Sequence, residues 1–159
     1  MRLFLLSLLC LLILPVAARA ADCYTKEQAE AEQGVRIHSE LMIIGLNCQH
    51  MGKRAGMNLY EQYREFTARY ANLFGGYENT LMAFWKQHGD PSPEQKLNAL
   101  RTSYANKISQ DAAAMRPDIF CSQYAPRIAQ ATAMKEQDVR RWAATFYPSH
   151  PVSFPLCKS

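Results

Sequence analysis

The sequence predicts an all-α fold: an antiparallel, up-down four-helix bundle-like domain with an extended C-terminal strap and two disulfides. Three observations predict it. Apolar residues recur at three- and four-residue spacings over long stretches, several of them preceded by helix-capping signatures. No run alternates long enough, with β-branched residues, to make a strand. Four cysteines remain once an export leader is set aside, an even number that reads as two bridges.

The leader comes first in the chain. Residues 1–20 carry a positive charge at Arg2, an apolar run from Leu3 to Val16, and small residues in Ala18-Arg19-Ala20, the pattern of a secretory signal peptide. The run is shorter than the ~20 residues that span a bilayer, and the next one, Leu41 to Leu46, is far shorter. No transmembrane segment is therefore expected after cleavage. Cys10 belongs to the leader. Cleavage after Ala20 leaves residues 21–159, a length of 139 that suits a single domain with a real core. Losing Arg2 and Arg19 leaves 16 basic against 14 acidic residues, a net charge of +2. Basic residues pair at Lys53-Arg54 and Arg140-Arg141 but form no patch, so nucleic acid is not an expected partner. The four remaining cysteines, Cys23, Cys48, Cys121 and Cys157, include no C-x-x-C pair, which argues against a zinc site or attached haem; no cofactor signature is present. The short leader and small size point to a bacterial periplasm, or otherwise to secretion.

Thr25-Lys26-Glu27-Gln28 is a capping box and starts a helix over residues 25–50. Its inner face carries Val35, His38, Leu41, Met42, Gly45 and Cys48, with Glu32 and Arg36 one turn apart on the outside. Gly52 and Gly56 mark a connection. Asn58 and Glu61 repeat the capping signature, and the stripe Leu59, Tyr63, Phe66, Tyr70, Leu73, Tyr77, Leu81, Phe84 predicts one long helix over 58–88. Gly75-Gly76 lies inside it at a propensity cost of about 2 kcal/mol, so a bend is expected there. Ser92-Pro93-Glu94-Gln95 combines an N-cap, an N1 proline and a capping-box glutamine and starts a third helix over 93–115. A fourth helical region over 118–146 carries Ile119, Phe120, Tyr124, Ile128, Val139, Trp142 and Phe146, with a kink or split expected at Pro126 and a second break near Lys135. Prolines 148, 151 and 155 make residues 147–159 an extended tail.

Helix direction then orders the cysteines. A helix over 25–48 sets Cys23 and Cys48 roughly 35 Å apart at ~1.5 Å per residue, against the ~7 Å between Cα atoms that a disulfide tolerates. If each helix reverses the last, Cys121 returns beside Cys48 and the strap brings Cys157 to Cys23. A reversal at Gly75-Gly76 would instead pair Cys23 with Cys121 and Cys48 with Cys157.

No catalytic signature stands out, so the expected function is a non-enzymatic binding or interaction module for an envelope protein or an apolar small ligand. Tyr63, Phe66, Tyr70, Tyr77, Phe84 and Trp85 share a helical stripe; its plain role is core packing, and its functional alternative is an apolar groove between helices. An envelope hydrolase would draw its base from His38, His50 or Glu78. A copper-handling protein would use the thioethers and imidazole of Met42, His50, Met51 and Met57. Cys48-Gln49-His50 resembles the disulfide cysteine and following histidine of secreted phospholipases A2. Met51 stands where those enzymes carry a calcium-binding aspartate, and their glycine-rich calcium loop is missing, so membership is not assigned.

Overall fold

Thr25 opens the first helix with the reciprocal bonding its sequence implies. Its Oγ1 accepts from the Gln28 N–H at 3.2 Å, and Gln28 Oε1 accepts from the Thr25 N–H at 2.8 Å. The computed structural model describes residues 23–158; the signal peptide assigned to 1–20, with Cys10, lies outside the described residues. Helix α1 is Lys26–Cys48. It is followed by α2 (Leu59–Arg69), α3 (Ala71–Gln87), α4 (Pro93–Ala114), α5 (Pro117–Tyr124), α6 (Pro126–Ala133) and α7 (Glu136–Ala143), with no strand among the described residues.

α1 packs against each of the other described helices and is the axis of the fold. Residues 31–37 are buried without interruption, so this helix has no outer face over two turns. Glu32 and Arg36, expected outside, are 0% and 7% exposed. The cause is tertiary, since α3, α4, α7 and the C-terminal strap close around the same stretch of helix.

The 58–88 stretch is two helices, and the break is at Tyr70 rather than at the glycine pair. Tyr70 leaves helical geometry at φ −111°, ψ 28°. Its hydroxyl donates to the Met134 carbonyl at 2.7 Å, and Arg69 Nη1 donates to the Thr132 carbonyl at 3.1 Å. Those two carbonyls close the C-terminal end of α6, where a helix leaves acceptors unpaired; satisfying them fixes the break at residues 69–70. Gly75 and Gly76 sit inside α3 with open space around both and do not reverse the chain.

The descent along α1 is continuous. Gly45 meets Leu59 and Tyr60, Gly34 meets the Tyr77 ring, and Tyr24 meets Phe84. α4 runs back up beside α1. Its proline is at N1 as expected, but Ser92 makes no side-chain cap, having φ −140°, ψ 62°; the Ser92 N–H instead donates to Asp90 Oδ1 at 2.9 Å. Asp90 therefore takes the N–H that the capping box assigns to Gln95, while the Ser92 hydroxyl caps nothing.

The 118–146 region is three short helices, divided at Ala125-Pro126 and at Met134-Lys135. α7 stops at Ala143, where the Thr145 hydroxyl donates to the Arg141 carbonyl at 2.7 Å. Phe146 consequently leaves the stripe and is 39% exposed. The strap returns to the start of α1, pairing Tyr24 N–H with the Pro155 carbonyl at 2.8 Å and Cys157 N–H with the Tyr24 carbonyl at 2.9 Å. The disulfides are Cys48–Cys121 and Cys23–Cys157, with Cα separations of 5.5 and 5.0 Å. One staples each end of α1.

Candidate functional site

Gln33, Arg36, Ile37 and Glu40 recur at three- and four-residue spacing, so they share one face of α1. This face is the floor of a cleft of about 270 Å³. α6 contributes Arg127, Gln130 and Met134 as one wall, and Trp142, Thr145, Tyr147 and His150 from α7 and the strap form the other. The walls come from distant parts of the chain, and the Cys23–Cys157 staple holds the strap in place against α1.

The floor is charged and poorly paired. Glu40 lies between two arginines, 3.8 Å from Arg36 Nε and 3.6 Å from Arg127 Nη1. Both separations exceed hydrogen-bond range. Among the described residues neither guanidinium has a hydrogen-bond acceptor. Each is instead oriented by a ring, Arg36 over Tyr104 at 5.9 Å and Arg127 over Tyr124 at 4.7 Å. Arg36 and Glu40 side chains are only 8% and 15% exposed. Burial pushes the Glu40 carboxyl above its ordinary range, against the pull of Arg36, Arg127 and Lys107. Burial likewise lowers His150, and Arg36, Lys107 and Arg127 push it the same way. Two cations, Arg36 and Arg127, thus line the cleft, with Lys107 acting from outside its lining. Gln33 fastens the strap wall, its Nε2 donating to the His150 carbonyl at 2.9 Å.

A second polar node lies one residue earlier on α1. Glu32 Oε1 accepts from the Tyr104 hydroxyl at 2.5 Å, from the Ser153 N–H at 2.8 Å and from the Ser153 hydroxyl at 2.9 Å. It pins the strap to α1 and α4 from inside the core. Glu32 Oε2, the Tyr24 hydroxyl and Trp85 Nε1 are buried near one another but outside hydrogen-bond geometry, with Glu32 and Trp85 both acting on the Tyr24 hydroxyl, and Gln33 Oε1 is buried without a hydrogen-bond partner. Burial first, and then the Glu32 carboxylate, raise the Tyr24 and Tyr104 hydroxyls far above the ordinary phenol range.

The residues singled out from sequence are dispersed. His38 is half-buried, its ring edge-on to Tyr63 and Phe74 at 5.7 and 5.1 Å, with Nε2 3.4 Å from the Tyr63 hydroxyl. Burial lowers the His38 imidazole below its usual range and raises the Tyr63 hydroxyl to about 12. Glu78 is paired with Arg101 across α3 and α4. His50 is exposed in the connection after α1. Met51 is exposed there too, Met57 is half-buried beside the Arg54 bridge, and Met42 packs against the core roughly 9 Å of helix rise below Cys48. Among the described residues no group of three or more His, Cys, Asp or Glu is placed to hold a metal ion.

The aromatic stripe is interior. Phe66 is fully buried and meets Tyr70 and Phe74 edge-on, while Tyr63, Tyr77, Phe84 and Trp85 are at most 6% exposed. Of the stripe only Tyr70 is half-buried, and its hydroxyl is held by Met134. Read from the sequence, Arg36 falls on the outer face of the helix and so does not point to the cleft. The signal present was a polar set, Gln33, Arg36 and Glu40, one helical turn apart on an otherwise apolar helix. No protein-family model matches this chain, and neither does any curated protein or solved structure.

Proposed function

We propose that this chain is an exported, periplasmic binding protein that holds a small molecule, without chemistry on it, in the cleft between α1, α6, α7 and the strap. Two disulfides and the absence, among the described residues, of a helix long and apolar enough to cross a membrane fit an extracellular or oxidising compartment.

One observation carries the proposal. Arg36 and Glu40 are mostly buried, at 8% and 15% side-chain exposure, with what exposure they keep facing the cleft, and they meet at 3.8 Å, an ion pair too long for a hydrogen bond. Burying charges without such bonds costs stability. A fold that needed only a core would fill this face with aliphatic side chains, as α1 does at Val35, Leu41 and Ile44. Charges that are ion-paired without hydrogen bonds, facing a walled cleft, are an arrangement that a polar ligand completes.

Fluorescence tests the proposal directly. The chain has two tryptophans, and Trp142 lines the cleft while Trp85 is 3% exposed in the core. In a Trp85→Phe background, the molecules extracted from native, non-denatured protein should shift Trp142 emission when added back to stripped protein. Native mass spectrometry should show the same mass adduct. Stripped and unstripped protein that are indistinguishable by both measurements, with no adduct, would remove the proposal.

A further inference from the structure

We infer that the cleft selects a small organic carboxylate carrying a single-ring or similar apolar body, with Arg36 and Arg127 as the forks that read the carboxylate. The inference rests on the binding proposal above and names its ligand class.

Charge sets the sign of the ligand. Arg36 from α1, Lys107 from α4 and Arg127 from α6 all act on Glu40 and on His150. Of the charged side chains that line the cleft itself, two are cations, Arg36 and Arg127, and one is a carboxylate, Glu40; the nearby acids Glu32 and Asp111 are engaged elsewhere, Glu32 by Tyr104 and Ser153 and Asp111 by the Tyr124 hydroxyl at 3.1 Å. The lining carries one more cation than anion, so an anion is favoured.

Geometry sets the functional group. A guanidinium offers paired, parallel N–H donors that match a carboxylate. Both forks are already oriented by tyrosine rings, so little side-chain freedom is lost when they close on a ligand. Glu40, held back at 3.6 and 3.8 Å, balances the two cations without satisfying their donors. A ligand carboxylate, free to approach, makes at ~2.8 Å the charge-assisted bonds that Glu40 does not. Glu40 is then a competitor inside the site.

Size and lining set the rest. A volume of about 270 Å³ lies just below the ~300–1,000 Å³ of sites for drug-sized molecules. Ile37, Met134, Trp142 and Tyr147 supply the apolar and aromatic surface for one ring.

The test is isothermal titration of the intact disulfide-bonded protein with benzoate and phenylacetate, against their neutral primary amides. The carboxylates should bind more tightly than the amides by at least about tenfold, the equivalent of one charge-assisted hydrogen bond. Arg127→Gln should weaken the carboxylates by about 10- to 100-fold and leave the amides unchanged. Glu40→Gln should tighten them by about tenfold, an effect that a merely structural role for Glu40 cannot produce. Folding of each variant is checked by urea unfolding. Equal binding of acids and amides would overturn the carboxylate class while leaving the binding proposal standing. Binding of neither at millimolar concentration, with no small-molecule adduct in native mass spectra, would overturn both.

Discussion

Replacing Gly34 by alanine should destabilise the protein, although alanine is the better helix former. Gly34 lies in α1 where α3 crosses, and an added Cβ would stand 2.2 Å from Tyr77 Cδ2, 2.5 Å from Cε2 and 2.9 Å from Cγ. Carbon atoms in contact sit ~3.5–4.0 Å apart, so the ring must retreat by roughly 1.3 Å or more. It has little room. Tyr77 is 6% exposed, packs edge-on against Phe74, and donates its hydroxyl to Glu30 Oε1 at 2.8 Å. Overpacking of this kind costs about 1–3 kcal/mol, and losing the hydroxyl bond to a carboxylate adds about 1.5 kcal/mol or more. The helix-propensity gain returns only about 1 kcal/mol. The net expectation is a loss of about 1.5–3.5 kcal/mol. Gly75→Ala and Gly76→Ala supply the opposite sign: nothing lies within 4 Å of either added Cβ, so each should stabilise by about 0.5–1 kcal/mol. Urea unfolding with disulfides intact reads all three, through the midpoint at constant m-value. Placing Gly34→Ala in a Tyr77→Leu background should remove much of the penalty. A neutral or stabilising Gly34→Ala would refute the close approach of α1 and α3, and with it the register that brings Phe74 to His38.

Other expectations follow from the polar interior and the staples. Glu32→Ala should cost about 3–5 kcal/mol, because it leaves the donors of Tyr104 and Ser153 buried without their acceptor; amide exchange at residues 152–154 should quicken, and unchanged protection there would contradict the pin. The bridges close loops of 134 and 73 residues, which the chain-entropy account values at about 5 and 4 kcal/mol. Replacing Cys23 and Cys157 by serine should therefore lower stability and also abolish ligand response at Trp142, since the strap is a wall of the cleft. His38 has a folded pKa held below its unfolded value by burial, with Glu78 opposing and Arg101 assisting. The unfolded chain then binds more protons, so stability is complete above pH ~6.5 and is lost as pH falls through the folded value. His150 is shifted in the same direction, so the measurement is a difference: His38→Phe should show a shallower loss of stability than the parent below pH ~6.5, and parallel curves would refute the assignment.

Helix identity was legible in local chemistry. The capping boxes at Thr25 and Asn58 need only neighbouring residues, and Pro126 splits the last helical region because its ring fixes φ and removes a donor. The pairing of cysteines was also legible, conditional on the glycine pair, because helix length and alternating direction are geometric quantities. Tyr70 was not. The break there depends on carbonyls of Thr132 and Met134, more than sixty residues away, while Gly75-Gly76, the local weak point, remains helical because tertiary packing decides where a marginal helix yields.

The cleft shows the same division. Periodicity places Gln33, Arg36 and Glu40 on one face of α1, which the sequence by itself determines. It cannot say what covers that face, because a polar stripe at helical spacing is equally suited to water and to a lined site. The covering elements, α6, α7 and the strap, arrive through long-range packing and the Cys23–Cys157 bridge. Burial is a property of the surroundings rather than of the residue. Only the tertiary structure therefore took Arg36 from the outer face, where the sequence sets it beside Glu32, and placed it with Glu40 on the floor of a candidate binding site.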